Sequence, residues 1–478
     1  MILWMAAVMG LRKMKLIHKK RKPGYAAYQG EARMEPFADI ARSLKPFRMS
    51  LALVPLVPYC VMQDTMLTVS ICNTVLGEQS TFVERFAWKS LDFDFGEDWV
   101  AEAALNQKLF QPENNLPVGI EVWRNKLFIT VPRWREGVPS TLNYVDLSTP
   151  DTSPKLRPYP DWATNREGDC EGLTTTYRVR VDRCDRLWVL DSGAVGLGNS
   201  TKQLCPLAIH VFDLHTNTRL RKYNLRKDDT NSNSFIPNLV VDVGDSCENS
   251  YLYLADALGY GLIVYSWQAN DSWRFQHGYF MPDPLAGDYT VGGVNYQWSN
   301  EGVFGLALSP PHSNGLKTLF FHPLSSYRDF YVSTKVLQNK TKVDNSFRDF
   351  YLLPTRGSAG HVSTHVMDDH GVLFYNSIDK SSVACWDSSK PYRNENLLTL
   401  MKDEERLIFP SDIRVDSLRT LWVISDRMPV HLFSSLNYTD YNFRVFFSPI
   451  EPLIAGTVCD PSLPEYRLTP SLDQGLYV

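Results

Sequence analysis

Polar side chains at the starts of several apolar segments are the residues of this sequence that could do chemistry together. They are carboxylates, amides and hydroxyls, and most stand just before or at the start of a short run of β-forming residues. The candidates are Glu121, Glu171, Thr174, Asn238, Glu301, Ser363, Thr364, Ser377, Asp379, Ser411 and Asp412. A mainly acidic and amide set favours a protonated amine with an aromatic ring over an anion. The alternative is that each residue satisfies a buried strand end or a bridging water.

Three histidines, His361, His365 and His370, form a second group, because residues four apart on a strand share a face. Histidines clustered on loops are more often surface polar residues, so we predict no metal site. Asp368 and Asp369 are expected to form a turn between two strands. The sequence also lacks the usual hydrolase, zinc-protease, phosphate-loop and dinucleotide motifs, so it assigns no catalytic residue and predicts no cofactor.

The segment at residues 181–193, VDRCDRLWVLDSG, indicates which elements position these candidates. Residues 177–181 alternate and are rich in β-formers, and residues 182–185 are typical of a turn. Residues 187–190 form an apolar run that Asp-Ser-Gly closes. The segment therefore predicts a β-hairpin.

This hairpin pattern recurs about six times, always as an apolar strand, a polar turn and a second strand of the form Leu-aromatic-Val. The other copies lie at residues 116–130, 238–256, 301–322, 366–376 and 413–426. Their second strands recur roughly every 50 to 65 residues, the length of one four-stranded blade with decorated loops. The pattern predicts an all-β fold, a six-bladed β-propeller, whose innermost strands bring most of the candidates to one mouth of the channel. The alternative is an all-β chain whose hairpins are unrelated.

Composition is compatible with one large domain. The 478 residues are 44% hydrophobic and 12% aromatic, which is enough for a large β core. There are 49 basic and 53 acidic residues, giving a net charge of -4. No global basic footprint for nucleic acid is present, so we expect no nucleic-acid partner.

The first 77 residues differ from the rest. A basic cluster at residues 12–22 precedes an apolar region at 49–77, which Pro55, Pro58 and Asp64 interrupt. A transmembrane helix needs about 20 uninterrupted apolar residues, so we expect no stable membrane insertion. Residues 66–77, MLTVSICNTVLG, fit the core and cleavage region of a secretory signal. We predict a leader at residues 1–77 and a single propeller domain at 78–478; a membrane anchor or an incorrectly assigned start are the alternatives.

Cysteine usage favours export. Beyond the leader the cysteines are Cys170, Cys184, Cys205, Cys247, Cys385 and Cys459. Their even number and the lack of a Cys-x-x-Cys pair indicate disulfides rather than zinc. Fifteen pairings remain open, and we expect Cys385 to pair with Cys459, because that bridge would tie the last blades together. Glycosylation sequons at Asn199, Asn270, Asn339 and Asn437 also predict a secreted, extracellular glycoprotein.

Several longer motifs resemble the insect yellow/major royal jelly protein family. The motifs are GDCEGLTTTYRVRVDRCDRLWVLDSG at 168–193, LGYGLIVYSW at 258–267, SDRMP at 425–429, YPDW at 159–162, PRWREGVPSTLNYV at 132–145, SWRF at 272–275 and FPSDIRVD at 409–416. The resemblance runs from about residue 86 to residue 459. Within the family, DPLAGDYTVGGVNYQW at 283–298 is more similar to the yellow proteins than to the royal jelly proteins. The leader departs from the family, in which a short signal peptide normally precedes the fold.

The resemblance implies a secreted six-bladed propeller with a role in cuticle pigmentation, in the extracellular melanin pathway downstream of dopa and dopamine. Some members are described as dopachrome-converting, and salivary relatives bind biogenic amines in the central cavity. The expected partners are therefore small aromatic amines or catechol-derived melanin precursors. Three hypotheses stay open: a dopachrome-type isomerase with a carboxylate or histidine as general base, a binding protein without turnover, and a structural or nutritive secreted protein.

Overall fold

The structure is a computed structural model that describes residues 82–297, 299–357 and 360–463. The leader predicted at residues 1–77 lies outside the described residues. The strands described are β1 Val83–Trp88, β2 Gly119–Trp123, β3 Lys126–Thr130, β4 Leu142–Asp146, β5 Arg157–Pro158, β6 Thr176–Val181, β7 Arg186–Asp191, β8 Ala194–Val195, β9 Lys202–Gln203, β10 Ala208–Asp213, β11 Arg219–Asn224, β12 Asn238–Val243, β13 Ser250–Asp256 and β14 Gly261–Ser266. They continue as β15 Asp271–Gln276, β16 Tyr289–Val291, β17 Val294–Tyr296, β18 Val303–Leu308, β19 Thr318–Pro323, β20 Phe330–Ser333, β21 Phe350–Leu352, β22 Val362–Met367, β23 Val372–Ser377, β24 Ser382–Asp387, β25 Leu397–Lys402, β26 Pro410–Val415, β27 Thr420–Ser425 and β28 Phe443–Pro449.

Six four-stranded antiparallel sheets form the blades of a propeller. Blades 1 to 5 have the strand orders β2-β3-β4-β5, β6-β7-β10-β11, β12-β13-β14-β15, β18-β19-β20-β21 and β22-β23-β24-β25. Blade 6 has the order β26-β27-β28-β1. The innermost strand of each blade contacts that of the next, and β26 contacts β2, so the ring is closed. The predicted six-bladed β-propeller is confirmed.

Strand β1 closes the ring by completing the last blade. It pairs antiparallel with β28, with Val83 opposite Phe447 and Trp88 opposite Phe443. Blade 6 therefore takes three strands from the C-terminal part of the chain and one from the start of the fold. Because β1 covers the edge that β28 would otherwise leave free, this pairing completes the last blade and joins it to the start of the fold.

An apolar cluster fills each of the six interfaces between blades. Between blades 2 and 3, for example, Trp188 and Leu190 of β7 pack with Leu252 and Leu254 of β13. The strands supply these contacts because alternate residues of a doubly covered sheet face neighbouring blades. Full burial of one such large apolar side chain contributes about 1.5 to 3 kcal/mol.

The turn between the first and second strands is built the same way in blades 2, 5 and 6. Its first residue, Asp182, Asp368 or Asp416, accepts backbone hydrogen bonds from the residues two and four positions later. This confirms the turn predicted at Asp368. In two blades the same aspartate also accepts the indole N–H six residues later, from Trp188 at 2.7 Å and from Trp422 at 2.8 Å.

Three disulfides join the six cysteines beyond residue 81. Cys385 pairs with Cys459, as the sequence led us to expect. Cys184–Cys247 links the first hairpin turns of blades 2 and 3, and Cys170–Cys205 joins two loops of blade 2. The four sequon asparagines are all exposed.

The described residues include four short α-helices outside the blades: α1 Asp98–Asn106, α2 Thr334–Leu337, α3 Met428–Phe433 and α4 Ile450–Ile454. The longest has nine residues. A helix needs about 20 apolar residues to cross a bilayer, and none in the described part of the chain meets that requirement.

Candidate functional site

The innermost strands β2, β6, β12, β18, β22 and β26 surround the axis and run in one direction. Residues that end five of them, Val181, Val243, Leu308, Met367 and Val415, line a single cavity. We call the end of the propeller where the innermost strands begin the entry face, and we call the other end the exit face.

Asp412, which the sequence places among the mouth residues, is fully buried and paired with two arginines. Its Oδ1 lies 3.4 Å from Nε of Arg178 and 2.5 Å from Nη2 of Arg414. Its Oδ2 accepts a hydrogen bond of 3.0 Å from the backbone N–H of Ile120, which joins blade 6 to blade 1. The protein's own cations therefore neutralise this carboxylate.

Glu121 and Asn238 also meet arginines. Glu121 Oε2 lies 3.8 Å from Nε of Arg414, and Asn238 Oδ1 accepts a hydrogen bond from Nη2 of Arg180. Burial raises the pKa of Glu121, and the charges of Arg414 and Arg180 oppose that change. Burial and the neighbouring charge of Arg414 lower the pKa of Arg180.

The axis is therefore not the mainly acidic ring that we expected. Arg178 and Arg180 lie two apart on β6, as do Asp412 and Arg414 on β26, so each pair shares one face of its strand. Because side chains alternate between the two faces of a strand, β6 and β26 each place two charged side chains on the face that the other strand's charges meet. The interpretation of the ring as a site for a cation is corrected at Asp412 and Glu121, because guanidinium groups already occupy their surroundings.

Glu301 has a different environment. Its Oε2 accepts a hydrogen bond of 2.5 Å from the hydroxyl of Ser299 and lies 3.5 Å from that of Ser325. Its Oε1 has no hydrogen-bond partner among the described residues. Burial raises the pKa of Glu301, and the Ser299 hydroxyl opposes this by less. Glu301 is thus a buried carboxyl whose pKa is raised by burial and whose Oε1 has no hydrogen-bond partner among the described residues.

A cavity of about 340 Å³ opens on the entry face between blades 2 and 3. We call it the aromatic pocket, because Trp134, Tyr177, Phe235 and Tyr260 line it. The Tyr177 ring lies 5.5 Å from that of Trp134 and 5.4 Å from that of Phe235, measured between centroids. The remaining lining is apolar or carries hydroxyl and amide groups, and no described lining residue is charged. Such a pocket suits a flat aromatic molecule with a few polar substituents.

The β8–β9 hairpin forms one wall of this pocket. It is inserted after β7 and starts at Gly193, whose φ is +64° and whose carbonyl accepts hydrogen bonds from the N–H groups of Leu204 and Cys205. A Cβ at Gly193 would lie 2.0 Å from the carbonyl oxygen of Cys205, so this close approach requires glycine. The Cys170–Cys205 disulfide fixes the base of the hairpin, where the chain leaves it.

Glu301 lies beside the aromatic pocket. The preceding residue, Asn300, lines the pocket and accepts a hydrogen bond of 3.1 Å from the Tyr260 hydroxyl through its carbonyl oxygen. Burial raises the pKa of Tyr177 and of Tyr260, and the charge of Glu301 raises both further. A carboxyl and two phenols thus share one electrostatic environment at the pocket.

Four other predicted residues lie apart from this group. Glu171 is exposed on the surface, where it pairs with Arg219 and Lys222 of the outermost strand β11, so its expected position at the channel is corrected. Thr174 is buried before β6 and donates its backbone N–H to Asp191. Ser363 donates its hydroxyl to the carbonyl of Pro410, and Thr364 is buried one residue further along β22.

Ser377 ends the second strand of blade 5, and Asp379 follows two residues later. Ser377 lines a separate cavity of about 330 Å³ that also includes Arg356. Asp379 accepts a hydrogen bond of 2.8 Å from the backbone N–H of His361, and its Oδ2 lies 3.2 Å from Nδ1 of the same residue. Asp379 therefore fixes the start of β22.

The three histidines singled out in the sequence have different partners. His361 contacts Asp379, whereas His365 is buried with its ring 4.7 Å from that of His322. His370 lies in the turn with Asp368 and Asp369, where the possible ligand atoms of the three residues lie within 4.8 Å of one another. Both carboxylates are paired with Arg419. Its Nη2 lies 2.9 Å from Oδ2 of Asp368, and its Nη1 contacts Oδ1 of Asp369. No single site brings His361, His365 and His370 together.

Sequence reasoning missed the three axial arginines and the aromatic pocket. The run TYRVRV at β6 carries a signal for the first, because two arginines alternate with valines in a strand. The pocket residues carry no such signal, since Trp134, Phe235 and Tyr260 belong to loops from different blades. The fold and this site together define a six-bladed β-propeller with a small-molecule pocket on its entry face.

Comparisons with known proteins identify the family. A family model described as major royal jelly protein matches residues 174–459. Protein yellow of Drosophila melanogaster is 50% identical over 380 residues, which cover 79% of this chain and 70% of that protein. Protein yellow of Drosophila pseudoobscura pseudoobscura is also 50% identical over 380 residues, covering 79% and 68%. The chain belongs to the yellow/major royal jelly protein family.

A solved structure of virginiamycin B lyase from Staphylococcus aureus aligns with 71% of this chain and 97% of its own, at 11% identity and a TM-score of 0.38. That similarity is too low to inform the function.

Proposed function

We propose that this protein acts in pigmentation by binding catechol-derived melanin precursors in the aromatic pocket, and that it isomerises dopachrome-type aminochromes there. One observation carries the proposal: an uncharged pocket of about 340 Å³ with four aromatic side chains lies beside a buried carboxyl. Small-molecule sites start at about 300 Å³ and combine apolar walls with a few polar groups. Family membership supports the role in pigmentation.

Isomerisation of an aminochrome moves a proton without net oxidation, so it needs a group that both donates and accepts one. Glu301 is our candidate for that role, because burial raises its pKa and its Oε1 has no hydrogen-bond partner among the described residues. The neutral walls exclude water and hold the ring system, and the Tyr177 and Tyr260 phenols supply further polar contacts.

The test is to mix purified protein with dopachrome and to follow its decay optically. Wild type should accelerate the decay, and Glu301→Gln should lose most of that acceleration, since general acid–base groups contribute about a hundredfold or more. Glu171→Gln is the matched control, because it removes an exposed carboxyl that does not line the pocket. If Glu301→Gln is as active as wild type, Glu301 does not carry the proton.

A second candidate function is binding of an aromatic amine without turnover, which the unpartnered Oε1 of Glu301 favours. Calorimetry should then give tighter binding of dopamine than of catechol, and Glu301→Gln should narrow the difference by about tenfold to a hundredfold. Asp412→Asn should leave it unchanged, since Arg178 and Arg414 already neutralise that carboxylate. Equal affinities of wild type for both ligands would reject amine recognition.

No binding of either ligand and no dopachrome conversion would favour a structural or nutritive role.

We also infer that the protein is secreted and glycosylated, with a mature chain that starts near Glu78. Three disulfides and four exposed sequons support this, because both belong to the export pathway. N-terminal sequencing of protein from the medium of insect cells tests the start, and glycosidase treatment tests the sugars. A secreted product that keeps residues 12–22 would contradict the proposed cleavage.

A further inference from the structure

A second cavity, of about 650 Å³, lies at the exit face, where five innermost strands end. We call it the exit-face cavity. Two of its lining residues, Arg180 of β6 and Arg414 of β26, are buried. They come from non-adjacent blades, yet their charges lie close enough to repel each other. Blades 2 and 6 thus bring two guanidinium groups to one cavity.

Among the three axial arginines, Arg178 and Arg414 form ion pairs with carboxylates, whereas Arg180 forms none with the described residues. The charge of Arg178 also acts on the buried carboxyl of Asp426. Asp412 is shared by Arg178 and Arg414, and Glu121 lies 3.8 Å from Arg414. The hydrogen bonds that Arg180 donates go to neutral acceptors, the amide oxygen of Asn238 and the carbonyl of Val179.

Arg414 keeps donor capacity as well. Its Nε donates no hydrogen bond to any residue that the structure describes. Leaving a buried charged donor unpaired costs free energy, and an acceptor from a bound molecule removes that cost. Arg180, which forms no ion pair with the described residues, and Arg414 can therefore serve a negatively charged acceptor.

Acidic residues elsewhere on the cavity wall already have partners. Asp368 and Asp369 are paired with Arg419, and Asp245 accepts a hydrogen bond of 3.0 Å from Asn249. Lys317, a further cation of the wall, is paired at 2.7 Å with Asp242. Glu121 is thus the carboxylate nearest the two buried guanidinium groups on this wall.

We propose that the exit-face cavity binds a small oxyanion, a carboxylate or a phosphate, through Arg180 and Arg414. A guanidinium presents two parallel N–H groups that match the oxygens of either anion. The carboxylate of Glu121 also interacts with the charges of Arg180 and Arg414, so it competes with the bound anion for these two arginines. This site is separate from the aromatic pocket, and it does not depend on the function proposed for that pocket.

Calorimetry on the full secreted protein tests the proposal, with inorganic phosphate and succinate as probes. Wild type binds one of them at a single saturable site. Arg180→Gln weakens that binding by about tenfold or more, whereas Glu121→Gln tightens it because the competing charge is gone. Arg348→Gln, which removes an exposed arginine outside the cavity, leaves it unchanged. The probe that binds more tightly identifies the anion as a phosphate or a carboxylate.

Two results would overturn the proposal. The first is that wild type shows no saturable binding of either probe. The second is that Arg180→Gln and Arg348→Gln weaken probe binding equally, because the probe would then respond only to the overall positive charge. Melting curves establish whether each variant is folded. If Arg180→Gln does not fold, Glu121→Gln decides alone: tighter binding supports the site, and unchanged or weaker binding rejects it.

Discussion

The carboxyl of Glu301 is buried, and its hydrogen-bond partners in the described part of the chain are the hydroxyls of Ser299 and Ser325. Asp412, in contrast, pairs with arginines. The pKa of Glu301 in the folded protein lies above the ordinary value of 4.5. The stabilisation from this group is therefore complete at a pH below the unfolded-state pKa, and it is lost as the pH rises through the folded-state pKa. A neutral amide at this position does not suffer that loss.

We predict that Glu301→Gln melts at a higher temperature than wild type near pH 8 and that this advantage shrinks towards pH 4. Thermal unfolding across that range is the measurement. Glu171→Gln should not gain stability near pH 8, because Lys222 and Arg219 lower the pKa of that exposed carboxyl. A melting difference for Glu301→Gln that does not vary with pH would contradict the account.

At the level of single residues, the sequence predicted Glu301, Asp412 and Asn238 near the axis but not their charge balance. Arg178 belongs to a strand that was recognised, yet its partner Asp412 stands more than 200 positions later in the chain. The strand register and the position of each side chain along the propeller axis decide which of these groups come into contact. Neither can be predicted from the local sequence pattern. The same limit hid the aromatic pocket, whose walls come from loops.

Among the elements, the hairpin of blade 2 and the hairpin of blade 6 are equivalent in detail. Each starts its turn with an aspartate that binds the indole N–H of a tryptophan six residues later, Trp188 or Trp422. Both tryptophans are buried in the second strand of their blade. Local sequence was sufficient here, because the turn, the strand and the tryptophan all lie within a few residues of one another.

Replacing Trp188 or Trp422 with Ala should therefore lower the free energy of unfolding by roughly 3 to 5 kcal/mol. The lost packing leaves a cavity between blades, and the turn aspartate loses a donor. Trp99→Ala is the control, because that side chain on α1 is 69% exposed and its removal should cost less than about 0.5 kcal/mol. Denaturant unfolding measures all three variants, and an unchanged midpoint for Trp188→Ala would show that its blade interface is not a packed core.

For the whole molecule, the Cys385–Cys459 disulfide ties blade 5 to the segment that follows the last blade. The two cysteines are 74 residues apart, so the bridge removes much conformational entropy from the unfolded chain. Replacing both with Ser should lower the free energy of unfolding by about 4 kcal/mol. Thermal unfolding is the measurement, and equal melting temperatures for this variant and oxidised wild type would contradict the expectation. Reduced wild type is the control, because it lacks all three disulfides.

The number of blades could be predicted from the sequence because the hairpin repeat is regular in spacing. The way in which the ring closes could not, because β1 at residues 83–88 carries no copy of the hairpin pattern and pairs with β28 only in the folded molecule. Its sequence, VERFAW, reads as an ordinary β segment.

The closing strand also sets an order of events during synthesis. The ribosome makes β1 first, yet its partner β28 follows roughly 350 residues later. At about 5 to 20 residues per second, β1 waits some 20 to 70 s for that partner. During this interval Phe86 and Trp88, both buried in the finished ring, lack their final surroundings, and the nascent chain carries an unpaired strand that can recruit a chaperone or aggregate. The strand that completes the last blade is thus the one that waits longest for its partner in the growing chain.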